Sequence, residues 1–422
     1  MPYCKPRSFI VLLAFALLLP CIPGAPARSE EAPAATAYQR LIEALTKGKF
    51  NVNVRYRYEH VDQDGIGRNA NANTLRTRLG YTTGAFHGFS MKVEGENVVA
   101  LGADRYNSTT NGLSSYPVVA DPEETEFNQV YLRYTGLKDT AITGGRQRII
   151  FDNARFVGNV GWRQNEQTFD AAQVNFTGLP KTELSYVYLW KVNRVFSDES
   201  VNGNFRMNSH LLNASYDGFG LGKLTAYAYL LDFNRASQSG NSTQTYGLRF
   251  NGGYKINDNT KLLYALESAH QRDYADNANS INQNYYNGEV GLAFPKVMKN
   301  LSVTGKIGYE VLEGDGVQAF QTPLATLHAF NGWTDKFLTT PADGIEDLYF
   351  KLALNYRGVK VLGVYHDFNA DNTDADYGTE WGVSISRKFF KRFLLGLKYA
   401  DYSAESFATD TRKVWLTAQF DY

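Results

Sequence analysis

The sequence predicts an all-β fold, a transmembrane antiparallel β-barrel of about eighteen strands preceded by a short periplasmic helix. Three observations carry that expectation. Runs of alternating apolar and polar residues recur along nearly the whole chain, and the connections between them alternate strictly between short and long. After the N-terminal region, no apolar stretch approaches the roughly 18 to 20 residues that a spanning helix needs.

Residues 1–27 read as a signal peptide. Lys5 and Arg7 precede an apolar run from Phe9 to Leu19, and Ala25-Pro26-Ala27 offers small residues for cleavage. Cys21 makes a poor lipoprotein site because Pro20 stands where a small residue belongs. Cys4 and Cys21 leave with the leader, so disulfides cannot hold the mature chain together. Removing Lys5 and Arg7 from the 43 basic residues leaves them two short of the 43 acidic ones, which excludes a bulk basic field for nucleic acid. Tyr (28) and Phe (26) are abundant and mean hydropathy is −0.36, as expected of strands that show lipid one face and water the other.

Residues 28–48 form a periplasmic lead with one helix, whose apolar positions Tyr38, Leu41, Ile42 and Leu45 share a face up to Gly48. It carries no reactive group beyond Glu43, so it reads as a cap on the barrel end. From residue 49 to 422 the period is two. In Asn51–Val61, Val52, Val54, Tyr56 and Tyr58 face outward and Arg55, Arg57 and Glu59 inward; in Leu75–Tyr81, Arg76 and Arg78 face inward. Similar runs follow at Phe89–Val99, Asn128–Tyr134, Thr140–Arg148, Phe169–Phe176, Leu184–Val192, His210–Tyr216, Thr225–Phe233 and Tyr246–Gly252. The last eight are Leu262–Ala269, Tyr286–Phe294, Leu301–Val311, Leu348–Tyr356, Val359–Phe368, Trp381–Arg387, Phe393–Tyr402 and Val414–Tyr422. Nine long connections and eight short ones give an even strand number with both termini in the periplasm. A barrel of this size encloses an aqueous lumen. The terminal Phe420-Asp421-Tyr422 offers an aromatic signal to the barrel-assembly machinery, and lipid and lipopolysaccharide of the outer membrane are the expected surroundings.

Several motifs resemble the alginate export family of outer-membrane proteins: Arg-Tyr-Arg-Tyr-Glu at 55–59, Leu-Arg-Thr-Arg-Leu-Gly at 75–80, Gly-Arg-Gln at 145–147, the run from Phe151 to Ala171, and the segments 327–338 and 340–349. The resemblance spans essentially the whole mature chain. It implies a channel whose arginine-rich constriction suits anionic saccharide polymers, with a periplasmic partner for export, and it carries over Arg146, Arg155, Arg163, Asp152 and Asp170 as constriction residues and Arg55, Arg57, Arg76 and Arg78 as lumen residues. An exporter proper should have a long periplasmic turn able to plug the pore, and every inner turn here is short. The alternative is a general or substrate-specific porin for uptake of small anions or oligosaccharides.

Gly144–Ala172 is too polar for a core: Arg146, Arg148, Arg155 and Arg163 stand among Asp152, Glu166 and Asp170. Either this loop folds into the lumen and its arginines bind anions, or its acids pair with its own bases and latch it to the wall. Arg55, Arg57, Arg76 and Arg78 make the better anion patch, since only Glu59 opposes them nearby, and Arg133 joins them on the wall. Loss of Arg76 and Arg78 should then weaken anion preference. The long loop before Ile345 reads as an extracellular lid with a small core of Leu327, Phe330, Trp333 and Phe337, rather than a sugar site using His328, Asp335 and Lys336. No metal, cofactor or catalytic residue is expected. Asp367, Asp371, Asp374 and Asp376 fail the calcium-loop spacing, with Gly378 and Gly382 where a Glu is required. The histidines are scattered, and His210 and Ser215 have opposite parity on one strand, so no nucleophile and base converge.

Overall fold

A computed structural model describes residues 36–422; the leader and the first part of the lead lie outside the described residues. Helix α1 (Ala37–Thr46) opens with a capping box, in which the Thr36 hydroxyl accepts from the Gln39 N–H and the Gln39 side chain accepts from the Thr36 N–H. The helix sits at the barrel's inner end, where its Ala44 carbonyl accepts from Gly84 N–H at 2.8 Å and Tyr81 donates to the Leu45 carbonyl.

Eighteen strands follow: β1 (Lys49–Gln63), β2 (Ala70–Thr82), β3 (Phe89–Ala100), β4 (Glu124–Leu137), β5 (Thr140–Gln147), β6 (Thr168–Phe176), β7 (Thr182–Asn193), β8 (Asn204–Tyr216), β9 (Gly222–Leu231), β10 (Thr243–Asn257), β11 (Thr260–Asp273), β12 (Asn282–Met298), β13 (Leu301–Leu312), β14 (Ile345–Tyr356), β15 (Val359–Asn369), β16 (Asp376–Phe389), β17 (Phe393–Ala404) and β18 (Thr411–Asp421). Each pairs antiparallel with its sequence neighbour, and β1 pairs with β18 from Asn53↔Asp421 to Gln63↔Thr411, so the sheet closes without an edge. All eighteen expected strands are present. The sequence pattern understates most of their outer ends, because beyond the bilayer both faces meet polar surroundings and the alternation fades, whereas β5 and β9 stop one and two residues short of the expected Arg148 and Phe233.

The two faces differ as the period of two demands. Leu248 and Leu266 on the outer face are 57% and 61% exposed, whereas Arg57 and Glu59 on the lumen face are 2% and 0% exposed. Aromatic pairs mark the inner rim, among them Phe50 with Tyr81, Phe89 with Tyr134 and Phe393 with Phe420.

The lumen departs from expectation. Instead of an open aqueous bore, it holds a buried cluster in which Val157, Phe320, Leu324 and Phe337 from two infolded loops pack against Leu189, Tyr227, Tyr229, Phe368 and Tyr402 of the wall. The inward faces of β7 and β9 carry Val187, Leu189, Tyr227, Tyr229 and Leu231 at mid-height, and the apolar residues of the loops cover them.

Candidate functional site in the lumen

The alternation of β1 and β2 turns Arg55, Arg57, Arg76 and Arg78 inward, and the register sets Arg55 opposite Arg76 and Arg57 opposite Thr74. The patch therefore forms, but its heads are occupied. Arg55 donates to the Gly161 carbonyl at 3.0 Å and also to that of Arg163; Arg57 donates to Trp162 O at 2.6 Å; Arg76 and Arg78 reach Gln164 O at 3.2 and 3.4 Å. Four successive carbonyls of the β5–β6 loop are thus seated on four guanidiniums. Arg78 also pairs with Glu96 and, at 3.5 Å, with Glu166. Among the described residues no carboxylate lies within 4 Å of Arg55, Arg57 or Arg76. The expected open anion patch is instead a seat for the loop, because a folded loop presents carbonyl dipoles and guanidinium forks bind these in the plane. Glu59, expected to oppose the patch, pairs with Arg163 at 3.1 Å.

The loop's own pairs also differ from the nearest-neighbour expectation. Arg146 does pair with Asp170, at 2.8 Å across β5 and β6, and Arg148 with Glu166 and, at 2.9 Å, Glu94. Arg155 instead crosses to β13, donating to Glu310 at 2.8 Å, with Thr322 and Asn331 satisfying its other nitrogens and the Phe330 and Tyr285 rings beside it. Asp152 meets none of the loop arginines. It has φ +51° and accepts from Asn213 at 3.0 Å and Thr225 at 3.2 Å, with Lys223 at 3.5 Å, which fastens the loop to β8 and β9. Arg133 is exposed near the inner end of β4, where it neighbours Ser90 of β3.

The β13–β14 loop is not a separate extracellular lid. It folds inward and zips to the β5–β6 loop: Gly158 N–H donates to Leu324 O and Thr326 N–H to Ala154 O, both at 2.9 Å, and the Gln167 amide donates to Leu324 O at 3.0 Å. Its apolar residues do not form a core of their own. Trp333 packs with Val364, Ala400 and Trp415 of the wall, and Phe337 with Phe368, Tyr377 and Phe407.

Where the two loops meet β17 and β18, charges are tightly organised. Asp335 receives His328 Nδ1 at 2.6 Å and both Arg163 and Lys413 at 2.9 Å. Lys398 lies 2.8 Å from His328 Nε2 and over the Trp162 and Trp333 rings. A carboxylate can only accept, so His328 Nδ1–H donates to Asp335 and the neutral ring presents Nε2 as an acceptor to Lys398. Burial, then Lys398, push His328 down to about 3, so it stays neutral. Burial opposes the charge of Asp335, yet Lys413, His328 and Arg163 outweigh it and hold the carboxyl well below the usual range. Lys398, Lys413 and Glu310 escaped the sequence reading. Lys398 and Lys413 are single charges among uncharged inward neighbours, and Glu310 shares its inward face with Lys306, so the only signal was a charged residue interrupting an inward face.

Above this partition lies a cavity of about 430 Å³, walled by Ile66, Val118, Ala120, Val160, Val195, Phe196, Pro323, Leu327 and Leu338. Its charged lining residues are Arg163, Arg194, Lys336 and Lys413 against Asp335 alone. Arg194 lies over Phe196 and Phe205 and donates to Asn202 O at 3.1 Å; burial lowers it to about 10. Burial, then Lys413, lower Lys336 to about 8. Below the partition a smaller cavity of about 60 Å³ is lined by Arg249, Glu289, Glu310, Asn331, Asp347, Lys351 and others, and the two cavities share no lining residue.

Among solved structures the barrel is similar to Acinetobacter baumannii OccAB2, with a TM-score of 0.70, 17% identity, and coverage of 90% of this chain and 99% of that one. It is also similar to OccAB4 of the same organism (TM-score 0.69, 12% identity, 90% and 99% covered) and to Pseudomonas aeruginosa OpdK, solved with vanillate (TM-score 0.68, 13% identity, 90% and 99% covered). At such identities these likenesses show the fold. No curated protein matches the sequence. The alginate export family matches residues 47–332, a span that includes the arginine seat, the whole β5–β6 loop and the larger part of the β13–β14 loop. The chain therefore belongs to the alginate export family, as an outer-membrane channel and not an enzyme.

Proposed function

We propose that the channel admits small organic anions with an apolar body, by diffusion through a narrow passage beside the loop partition. The outer cavity carries this reading: four cations face one carboxylate, and the walls between them are apolar. The cations would draw in a carboxylate and the walls would accept a ring or short chain. A polyuronate, polar along its length, gains little from such walls, and it needs a continuous bore that two zipped loops cross. The short inner turns also favour uptake of small solutes over polymer export. Vanillate, named with the similar OpdK, is an aromatic carboxylate of this kind.

Reversal potentials in planar bilayers under a potassium chloride gradient test the reading. The wild type should prefer chloride, and Arg194→Gln with Lys336→Gln should bring the reversal potential close to zero. Lys336 adds a pH dependence. With its folded value near 8, it is charged at pH 7 and neutral at pH 9, so anion preference should fall as pH rises across that interval. The fold responds in the opposite sense: the unfolded state keeps that proton to higher pH, so between about 8 and the usual 10.5 this lysine makes the fold more stable as pH rises. A cation-selective wild type would sink the proposal.

A further inference from the structure

Asp335 is the one carboxylate that lines the outer cavity, and it carries a complete set of cationic and donor partners. One oxygen takes His328 Nδ1–H and the other takes Arg163 and Lys413, all within 2.9 Å. That is the environment a solute carboxylate would seek at the floor of the outer cavity. Arg163 keeps a second partner in Glu59, but the sole carboxylate that Lys413 meets among the described residues is Asp335.

The carboxylate is also placed where it can leave. Its backbone has φ +65°, a conformation that aspartate tolerates better than most residues. The two residues before it are held separately, since Glu380 accepts from the N–H groups of Trp333 and Thr334. Rotation about the Asp335 side chain alone therefore frees Lys413 and one arm of Arg163 without unseating the loop.

We propose that Asp335 is a built-in surrogate for the carboxylate of the permeating solute, which passes the partition by exchanging with it at Arg163, Lys413 and His328. The bound aspartate keeps the buried cations paired in the empty channel, and a solute replaces it without baring them, while the displaced carboxylate turns into the outer cavity that it lines. This spares the cost of an unpartnered buried ammonium. An anion lacking a planar carboxylate, such as chloride, makes the exchange less well, so the aspartate acts as a filter on solute chemistry. The proposal rests on the anion-channel reading above.

The test is benzoate block of chloride current in planar bilayers, with heat-dependent gel mobility confirming that each variant is a folded barrel. Asp335→Asn keeps the shape and removes the competitor's charge, so benzoate should block at roughly tenfold lower concentration, equivalent to about 1.4 kcal/mol. Lys413→Gln removes a partner that surrogate and solute share, and should raise the blocking concentration by a similar factor. Benzoate block unchanged or weakened in Asp335→Asn overturns the surrogate. Should that variant fail to fold, unchanged block in Lys413→Gln overturns it equally. Failure of the anion-channel reading shows separately, as a wild type that does not prefer chloride before any benzoate is added.

Discussion

Alanine at both Arg76 and Arg78 is expected to raise single-channel conductance severalfold and to make the open level noisy. Arg76 and Arg78 hold the Gln164 carbonyl, and Arg78 also neutralises Glu96 and Glu166, which are buried. Glu166 would keep Arg148, Asn128 and Asn159, but Glu96 would lose its ion-pair partner. Leaving one buried charge uncompensated costs roughly 3–5 kcal/mol, and the orphaned Gln164 carbonyl about 1–3 more. Losses of that size fall on one short stretch of the infolded loop, so the segment around Gly161–Gln164 should loosen in its seat and widen the passage. From the sequence alone the expected result is a different one, a weakened anion preference. A shifted reversal potential with unchanged conductance would make these arginines a selectivity filter and remove their role as a seat.

Replacing Arg155 with Met should have the largest effect on stability. The guanidinium is 1% exposed, and its pair with Glu310 ties the β5–β6 loop to the opposite wall. Methionine fills similar space but strands Glu310 in the interior, a cost of roughly 3–5 kcal/mol. The lower end is expected, because Tyr285 and Asn331 still donate to Glu310 at 2.8 Å each. The variant barrel should lose its heat-modifiable gel mobility at a lower temperature than the wild type, and limited proteolysis should newly cut near Phe151–Val157. Adding Glu310→Gln should recover much of the loss, since the stranded charge is then gone. A double variant no better than Arg155→Met alone would show that the pair contributes through shape and not through charge.

Both experiments act on contacts that are long in sequence and short in space. Arg76 meets a residue 88 positions away, and Arg155 one 155 positions away. From the sequence, the nearest opposite charges to Arg155 and Arg163 are Asp152 and Glu166, and that proximity suggested a self-latched loop. In the fold, Asp152 is aimed at β8 and β9 and Glu166 at Arg148, leaving the loop's central arginines to find acids on distant walls. The loop before Ile345 shows the same effect. Its aromatic spacing suggested a lid with its own core, but the wall offers larger partners, with Trp415 for Trp333 and Phe368 for Phe337.

The sequence by itself determined the number of strands, their order, the end of the barrel that carries the long loops, and the inward direction of Arg55, Arg57, Arg76 and Arg78. Those features follow from a local rule: successive side chains on a strand point to opposite faces, and in a membrane barrel one face must be apolar. The tertiary structure alone decided that two loops fold inward and zip together, that the arginine patch binds backbone carbonyls, and that Asp335 becomes the centre of a cationic floor. Each of these depends on which groups meet across a lumen. A buried guanidinium takes whichever acceptor the closed barrel brings within reach, and neither its position in the chain nor the residues beside it specify that acceptor.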